Sequence, residues 1–405
     1  MPITVLALKN VVRQRRRSLV ALLAVACGVA SLILASGFIE WNLWFGREST
    51  IHSQLGHVRI FKSGYLESGH ADPFANVLND DPNRLRLIKA QPEVSAVAPR
   101  LSFNGLISHG DSTISFIGEG VDPDAERLLS RSLTIVQGEG LSTGAPQGII
   151  LGQGLAANLG VGIGDTVVLV ANTGTGGINA VEVKVRGLFA TITKAYDDSA
   201  LRVPISMARQ LIRVSGAHSY ALLLDKTEST DAVIDRLRRL LPGRTLEIVP
   251  WYQLADFYNK TAKLFSRQVD VLRVIIAVII VLSISNSMMM SVLERTGEIG
   301  TALALGTRRS QILRQFLVEG GSLGVFGGVL GLIGGYAIAR LVSAVGIPMP
   351  APPGMAFGYT AQIAVTLPMA LQAAALAVAT TIAASLYPAW VASRMNIVDA
   401  LRHNR

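Results

Sequence analysis

The side chains able to do chemistry are few and do not converge. His52, His57, His70, His109 and His218 are scattered, with no His-Glu-x-x-His pair and no paired cysteines, so no metal site is expected. In GIILGQGLAANLG, Gly152-x-Gly154-x-x-Ala157 has the spacing of a dinucleotide fingerprint. That fingerprint also needs a full helix and an acidic residue about 20 positions on. The helical pattern stops by Gly160 and Thr175–Gly177 offers no carboxylate, so a structural turn is the better reading. No Gly-x-x-x-x-Gly-Lys-Ser/Thr phosphate loop occurs. No catalytic residue and no cofactor are therefore expected in this chain. What remains is a charged segment, LERTGEIGTALALGTRRSQILRQFLVEG, lying between two runs of nearly pure hydrocarbon. Its Glu294, Glu298, Arg308 and Arg309 are suited to docking rather than to bond-making.

The elements that hold that segment follow from composition. Of 405 residues, 50% are hydrophobic and 16% charged, with a mean hydropathy of +0.42; soluble domains carry roughly 25% charged residues. The stretches 18–39, 268–293, 316–341 and 367–390 each reach the ~20 apolar residues that span a bilayer. Arg273, Glu319 and Arg340 sit near the ends of these stretches, where arginine can snorkel. Lys9, Arg13 and Arg15–Arg17 precede the first span; Arg295, Arg308, Arg309 and Arg314 lie in the segment 294–315; Arg394, Arg402 and Arg405 lie in the tail 391–405. The opposite loop, 342–366, has no charge of either sign. The positive-inside rule puts both termini and the segment 294–315 in the cytoplasm. LLAVAC, ending at Cys27, has the look of a lipoprotein cleavage box, but the apolar run continues past it, which favours an uncleaved span.

Residues 40–267 then lie outside, with 23 Lys and Arg against 23 Asp and Glu. The net +9 belongs to the membrane portion and its edges, so it speaks of topology and not of nucleic acid. The outer segment reads as α/β. GHVRIF, VSAVAPRLSFNGLIS, SYALLLD and RTLEIVPW read as strands; DPNRLRLIKAQP and STDAVIDRLRRLLPG read as helices. Asp81 is a natural N-cap for the first helix; Ser229 or Thr230 can cap the second, and Gly243 can stop it. Two strand–helix–strand units flank a β-rich insert of about 111–216, in which ANTGTGGINA is a hairpin tip.

Within the charged segment, Glu294 and Glu298 fall on one side of a helix four residues apart, and Gly306 allows a sharp turn. Thr307 can cap a new helix carrying Ile312, Leu313, Phe316 and Leu317 into the third span. A small-residue apolar stripe, Ala302 and Leu305, faces the cytoplasm, and the segment reads either as a solvated connector with basic topology signals or as a knob for a partner's groove. The third span carries two glycine stripes at four-residue spacing, Gly320, Gly324 and Gly328, then Gly327, Gly331 and Gly335, as expected of close helix packing, with a glycine-lined substrate path as the alternative. Ser283, Asn286, Ser287 and Ser291 share a face of the second span, reading as an inter-helix or dimer seam, or as a cavity lining. No ionisable group lies deep in a span, as a proton-coupled carrier would need, so energy must come from another subunit.

Glu294-Arg295-Thr296-x-Glu298-Ile299-Gly300-x-x-x-Ala304-Leu305-Gly306 resembles the coupling segment of ABC-transporter permeases of the MacB, LolC/LolE and FtsX type. LALKNVVRQRRRSL is similar to their amphipathic N-terminal helix, here 1–17; ILGQGLAANLGVGIGDTVVLV and VRGLF to their periplasmic domain; LYPAWVASRMNIVDALR to their C-terminal end. Gly297 and Leu303 depart from it, standing where the family often has basic residues. The resemblance implies a dimeric permease, paired with a second copy or a related permease, on a dimer of ATPase subunits that hold ATP and Mg. It implies the inner membrane of a bacterium, a periplasmic chaperone or adaptor, and motion relayed from cytoplasm to periplasm. QLGHVRIFKSGYLESG is closer to the LolC/LolE branch, whose cargo is a lipoprotein or lipid. The alternatives are export of a drug or peptide, and FtsX-like regulation of a cell-wall hydrolase.

Overall fold

The computed structural model describes residues 15–68, 74–191, 193–241, 245–351 and 358–396. Most of the expected amphipathic helix 1–17, Gly243 and the last residues of the tail lie outside these. In chain order the elements are α1 (Arg15–Thr50), β1 (Val58–Lys62), α2 (Pro82–Lys89), β2 (Val94–His109), β3 (Ser112–Val121), α3 (Pro123–Leu129), β4 (Thr134–Gly138), β5 (Gly148–Gly152), α4 (Gln153–Leu159), β6 (Thr166–Asn172) and β7 (Ile178–Ala190). There follow β8 (Ala200–Pro204), α5 (Ile205–Ile212), β9 (Ser219–Leu224), α6 (Thr230–Leu240), β10 (Leu246–Pro250), α7 (Asp256–Glu294), α8 (Thr296–Ala304), α9 (Arg309–Val345), β11 (Ile347–Met349), β12 (Tyr359–Ala361) and α10 (Leu367–Ser393). The chain divides into two compact units. One takes the described residues up to Trp44, Thr261–Pro348 and those from Thr360 onward; the other takes Phe45–Lys260 and Met349–Tyr359.

In the first unit, α1, α7, α9 and α10 are long and apolar enough to cross a membrane. At 36 and 39 residues, α1 and α7 are about 54 and 58 Å long, well beyond the ~30 Å of hydrocarbon. With that excess, the second unit begins at Phe45 and its long segment ends at Lys260 rather than at the edges of the apolar runs. The two glycine stripes of α9 meet two different helices. A Cβ at Gly320 would strike Ser385, and one at Gly324 would strike Thr381 and come within 3.1 Å of Val378 Cα, all on α10. On the other stripe, a Cβ at Gly327 would lie 2.7 Å from Val25 Cβ, at Gly331 2.6 Å from the Ala26 carbonyl oxygen, and at Gly335 3.0 Å from Ala30 Cα, all on α1. Lipid tails give no hydrophobic reward for helix association, so close approach supplies the contact energy. The hydroxyls on the α10 face donate to their own helix: Thr381 to Val378 O at 3.0 Å and Ser385 to Thr381 O at 2.7 Å. They therefore enter the seam already satisfied. On α7, Ser291 is buried, Ser283 and Ser287 are half-buried and Asn286 is exposed, so the polar face is graded.

The second unit is built on a ten-stranded sheet in the order β10-β1-β9-β2-β3-β8-β5-β7-β4, with β6 pairing β2 and β7. The expected insert does not begin at residue 111. The sixteen-residue β2 runs through both halves, pairing β9 over Val94–Arg100 and β3 over Arg100–His109. Its first half helps fill a core of Val58, Ile60, Ile88, Val97, Leu222 and Leu237. Its second half serves another, around Leu101, Ile107, Leu155, Val185, Leu201 and Leu211. A hydrophobic pattern shows where a strand is, but not that one strand is shared by two cores. Asp81 caps α2 as expected, accepting from Asn83 N and Arg84 N at 3.0 and 3.2 Å. Neither expected hydroxyl caps α6: a short 3₁₀ turn, Thr227–Ser229, precedes it, and Thr230 Oγ1 donates to Thr227 O at 2.6 Å instead. The stretch Thr173–Gly177 forms the β6–β7 hairpin tip, with Gly176 at φ +83°.

Candidate functional site

The charged segment occupies the end of α7, all of α8 and the start of α9. Helix α7 does not run on through it. The helix breaks at Arg295, whose φ and ψ are −103° and 16°, and Thr296 Oγ1 donates to Leu293 O at 2.8 Å in the closing turn. Glu294 and Glu298 consequently belong to two helices and not to one helical face. Arg295 turns inward. Its Nη1 lies 3.2 Å from Glu319 Oε2, its Nε donates to Glu298 Oε2 at 3.4 Å, and its guanidinium sits 5.5 Å from the centre of the Phe316 ring. The Glu319 side chain is 6% exposed. The arginine therefore ties the start of α8 to the interior of α9, and an arginine over an aromatic face with a carboxylate partner is a firm anchor.

From that anchor α8 presents two different faces. Ile299, Gly300 and Leu303 are buried, and Ala302 is half-buried against the helical core. Leu303, one of the departures from the family pattern, thus faces inward, where a basic side chain would have to be paired. Glu294, Glu298, Ala304, Leu305, Gly306, Arg308 and Arg309 are exposed, and Leu305 reaches 83%. The expected Ala302–Leu305 stripe is split: Ala302 leans on the bundle, and Ala304 with Leu305 makes the outward knob. Gly306 adopts φ +92°, a left-handed conformation that favours glycine, and turns the chain. The next helix starts one residue later than Thr307 suggested. Arg308 is its N-cap residue, and Gln311 Oε1 reaches back to accept from Arg308 N at 3.1 Å.

Nothing comparable gathers in the glycine motif of the second unit. A Cβ at Gly152 or Gly154 would run into Asp197 or Asp198, so these glycines admit a protein turn where a phosphate would have to sit. Among the described residues, no three His, Cys, Asp or Glu side chains form a group able to hold a metal. What the second unit does bury is charge. Arg100 and Arg202, each 1% exposed, converge on Glu126 Oε1 at 2.7 and 2.8 Å; Glu119 accepts from Arg100 and lies 3.4 Å from Arg202. Arg202 also donates to the Ser53 carbonyl at 2.8 Å. Burial pushes the Glu119 carboxyl up, but Arg100, Arg202 and Arg59 outweigh it and hold it down at about 2.

A second polar chain lies near Ser53. His57 Nδ1 accepts from Leu224 N at 3.1 Å, which leaves its proton on Nε2, 3.0 Å from Thr227 Oγ1; that hydroxyl donates to Glu48 Oε1 at 3.1 Å. Burial lowers the His57 imidazole to about 4. The hydrogen bond from His52, with Arg47 and Thr227 beside it, takes Glu48 down to about 2 despite its partial burial. These side chains are far apart in sequence, and no local pattern announces them. Arg295 and Glu319 leave one trace, a lone arginine at one helix end and a lone carboxylate at the start of the next apolar run.

Comparison with known proteins agrees with this architecture. The family model of the MacB-like periplasmic core domain matches residues 18–240, and that of the FtsX-like permease C-terminal region matches 271–397. The chain is 24% identical over 410 residues to the lipoprotein-releasing system transmembrane protein LolC of Xylella fastidiosa, covering 95% of this chain and 94% of that one. It is 25% identical over 348 residues to the macrolide export ATP-binding/permease protein MacB of Psychrobacter arcticus, covering 82% of this chain but only 50% of that relative's length. The crystal structure of the periplasmic region of MacB from Actinobacillus actinomycetemcomitans matches 52% of this chain and 94% of its own, with 16% identity and a TM-score of 0.37. With the family models covering both the domain after the first span and the last three spans, the chain belongs to the ABC-transporter permeases of the MacB, LolC and FtsX type.

Proposed function

We propose that this permease couples ATP hydrolysis on a separate ATPase dimer to the release of lipoprotein or lipid from the outer leaflet of a bacterial inner membrane. The observation that carries the reading is the outward knob of Ala304, Leu305 and Gly306. It stands on a helix whose other face is buried and whose start is anchored through Arg295 to Glu319. A rigid apolar projection between two spans suits a partner's groove, and a push on it must reach both α7 and α9. Glu298, Arg308 and Arg309 flank the knob and supply charge for orientation. Both termini lie in the cytoplasm by the distribution of arginine, and the MacB-like domain lies outside. ATP and Mg sit on the partner; this chain contributes no catalytic residue. A second permease copy or a related permease completes the dimer, and a periplasmic chaperone or adaptor receives the cargo.

The lipoprotein reading is favoured by the LolC relative, which aligns over nearly the whole chain. Export of a small molecule or peptide is the second reading, favoured by the MacB relative. Cysteines placed at Thr301, Ala304 or Leu305 should crosslink to the ATP-binding subunit in the intact complex. Loss of ATPase coupling in Leu305→Asp, with assembly retained, should accompany this. Absence of crosslinks along the whole segment in an intact complex overturns the docking. Lipids and proteins that co-purify in mild detergent then decide between the two cargoes.

A further inference from the structure

The membrane unit holds a cavity of about 610 Å³ between α1, α7 and α10. This is within the roughly 300–1,000 Å³ of small-ligand sites. Its wall is of two kinds. Ile39, Leu43, Val269 and Met369 make an apolar side, while Glu40, Asp270 and Arg273 bring two carboxylates and a guanidinium to the same space. Arg273 is fixed from both sides, donating to Asp270 Oδ1 at 3.1 Å and to Gln372 Oε1 at 3.0 Å. Glu40 follows the apolar run of α1, Arg273 precedes that of α7, and Thr366 and Pro368 mark the start of α10. The cavity therefore lies at the level where hydrocarbon gives way to headgroups.

We propose that this cavity binds the headgroup of a bilayer phospholipid bearing a primary amine, that is, an ethanolamine phospholipid. The phosphate falls to Arg273, whose forked donors suit phosphate oxygens. The ammonium falls to Glu40 and Asp270, and the glycerol and first acyl carbons lie on the apolar side. Charge selects against anionic lipid, because two carboxylates outnumber one guanidinium. Chemistry selects against choline: a quaternary ammonium has no N–H to donate and is recognised by aromatic faces, and none of the lining residues is aromatic.

The test is lipid retention by the full chain. The protein is reconstituted in nanodiscs of equal phosphatidylethanolamine, phosphatidylcholine and phosphatidylglycerol, released into mild detergent and weighed by native mass spectrometry. The parent should retain phosphatidylethanolamine in preference to the other two. Arg273→Gln should retain about tenfold less, as loss of a charge-assisted contact implies. Glu40→Gln should lose the preference for ethanolamine over choline, a change that general loosening of the bundle does not produce. Arg340→Gln, outside the cavity, should behave as the parent. Equal retention of all three lipids by the parent overturns the proposal, as does an Arg340→Gln effect as large as that of Arg273→Gln. Displacement by free phosphoethanolamine at concentrations comparable to the lipid overturns the lipid assignment. No ATPase or cargo is present, so failure of the coupling reading leaves this outcome independent.

Discussion

Both units bury large apolar side chains, but the closest contacts of one are made on glycine and the other encloses a cluster of charge. The membrane unit brings its helices together on Gly324, Gly331 and Gly335, with Ala377, Thr381 and Ser385 alongside; large apolar residues lie both inside, as Ile284 and Phe316 do, and on its outer surface, as Val325, Leu330 and Ile333 do. The domain unit fills its cores with Leu, Ile, Val and Phe and encloses Arg100 and Arg202 among them. The difference is one of solvent. Water rewards the burial of large apolar side chains at about 25 cal/mol per Å², whereas lipid rewards it hardly at all and leaves close contact to decide. Burying charge costs several kcal/mol per ion in either setting, so each unit pairs its buried ions. The domain has a cluster, and the membrane unit has Arg295 with Glu319.

The largest effect should come from breaking the domain's cluster. Glu126→Gln removes the charge on which Arg100 and Arg202 converge, leaving Glu119 to answer both. Removing one partner of a buried pair costs about 3–5 kcal/mol, and urea unfolding of the purified chain should show a loss of that order. Pairing Glu126→Leu with Arg202→Met should recover part of it, because both charges then leave together. If Glu126→Gln unfolds at the parent's midpoint, the cluster is not compensated in the way its distances imply, and the contrast between the units weakens.

A smaller effect is expected in the membrane unit, where position along one helix decides the outcome. At Gly331 an added Cβ would lie 2.6 Å from a backbone oxygen of α1, which cannot swing aside. At Gly328 the nearest atom is Ala377 Cβ at 3.7 Å, an ordinary contact. Gly331→Ala should therefore cost roughly 1–3 kcal/mol as overpacking, seen as less assembled complex and a lower melting temperature. Gly328→Ala should stay within about 0.5 kcal/mol of the parent. Equal behaviour of the two would mean that the stripes are incidental.

Legibility in the sequence divides along the same line. Spans, glycine stripes, the Asp81 cap and the strands from GHVRIF to RTLEIVPW are local patterns, carried by periodicity and single capping residues, and they could be read directly. The glycine stripes even gave the packing faces, although not that one meets α10 and the other α1. The outward knob was half legible: Leu305 and Gly306 stood out, while the break at Arg295 turned Ala302 aside and separated Glu294 from Glu298. Arg100, Glu119, Glu126 and Arg202 were out of reach, because three strands and a helix must assemble before those side chains meet. The sharing of β2 between two cores was hidden for the same reason.

The last effect is one of pH, and it separates the units because the groups involved belong to the domain alone. His57 is held neutral by burial, with its folded value near 4 against an ordinary value of 6.5. The unfolded chain thus takes up a proton before the folded one does. The stability contributed by neutral His57 is complete above about pH 6.5 and is lost as pH falls toward 4. Protonation would also put an Nδ1–H against the Leu224 N–H that now donates to it. Asp197 acts in the opposite sense. Burial raises it to about 6 in spite of the hydrogen bonds from Thr191, so its ionisation weakens the fold as pH rises from about 4 to 6. The parent's own slope between pH 4 and 6 mixes the two and reads neither. The difference between the parent and His57→Gln isolates the histidine. Gln cannot titrate, so the parent's advantage over the variant should be greatest near pH 7 and shrink steadily toward pH 4. The check is a series of urea midpoints across that range. A difference that stays constant would show that His57 titrates alike in both states, and the chain from Leu224 through Thr227 to Glu48 would then have no hold on its proton.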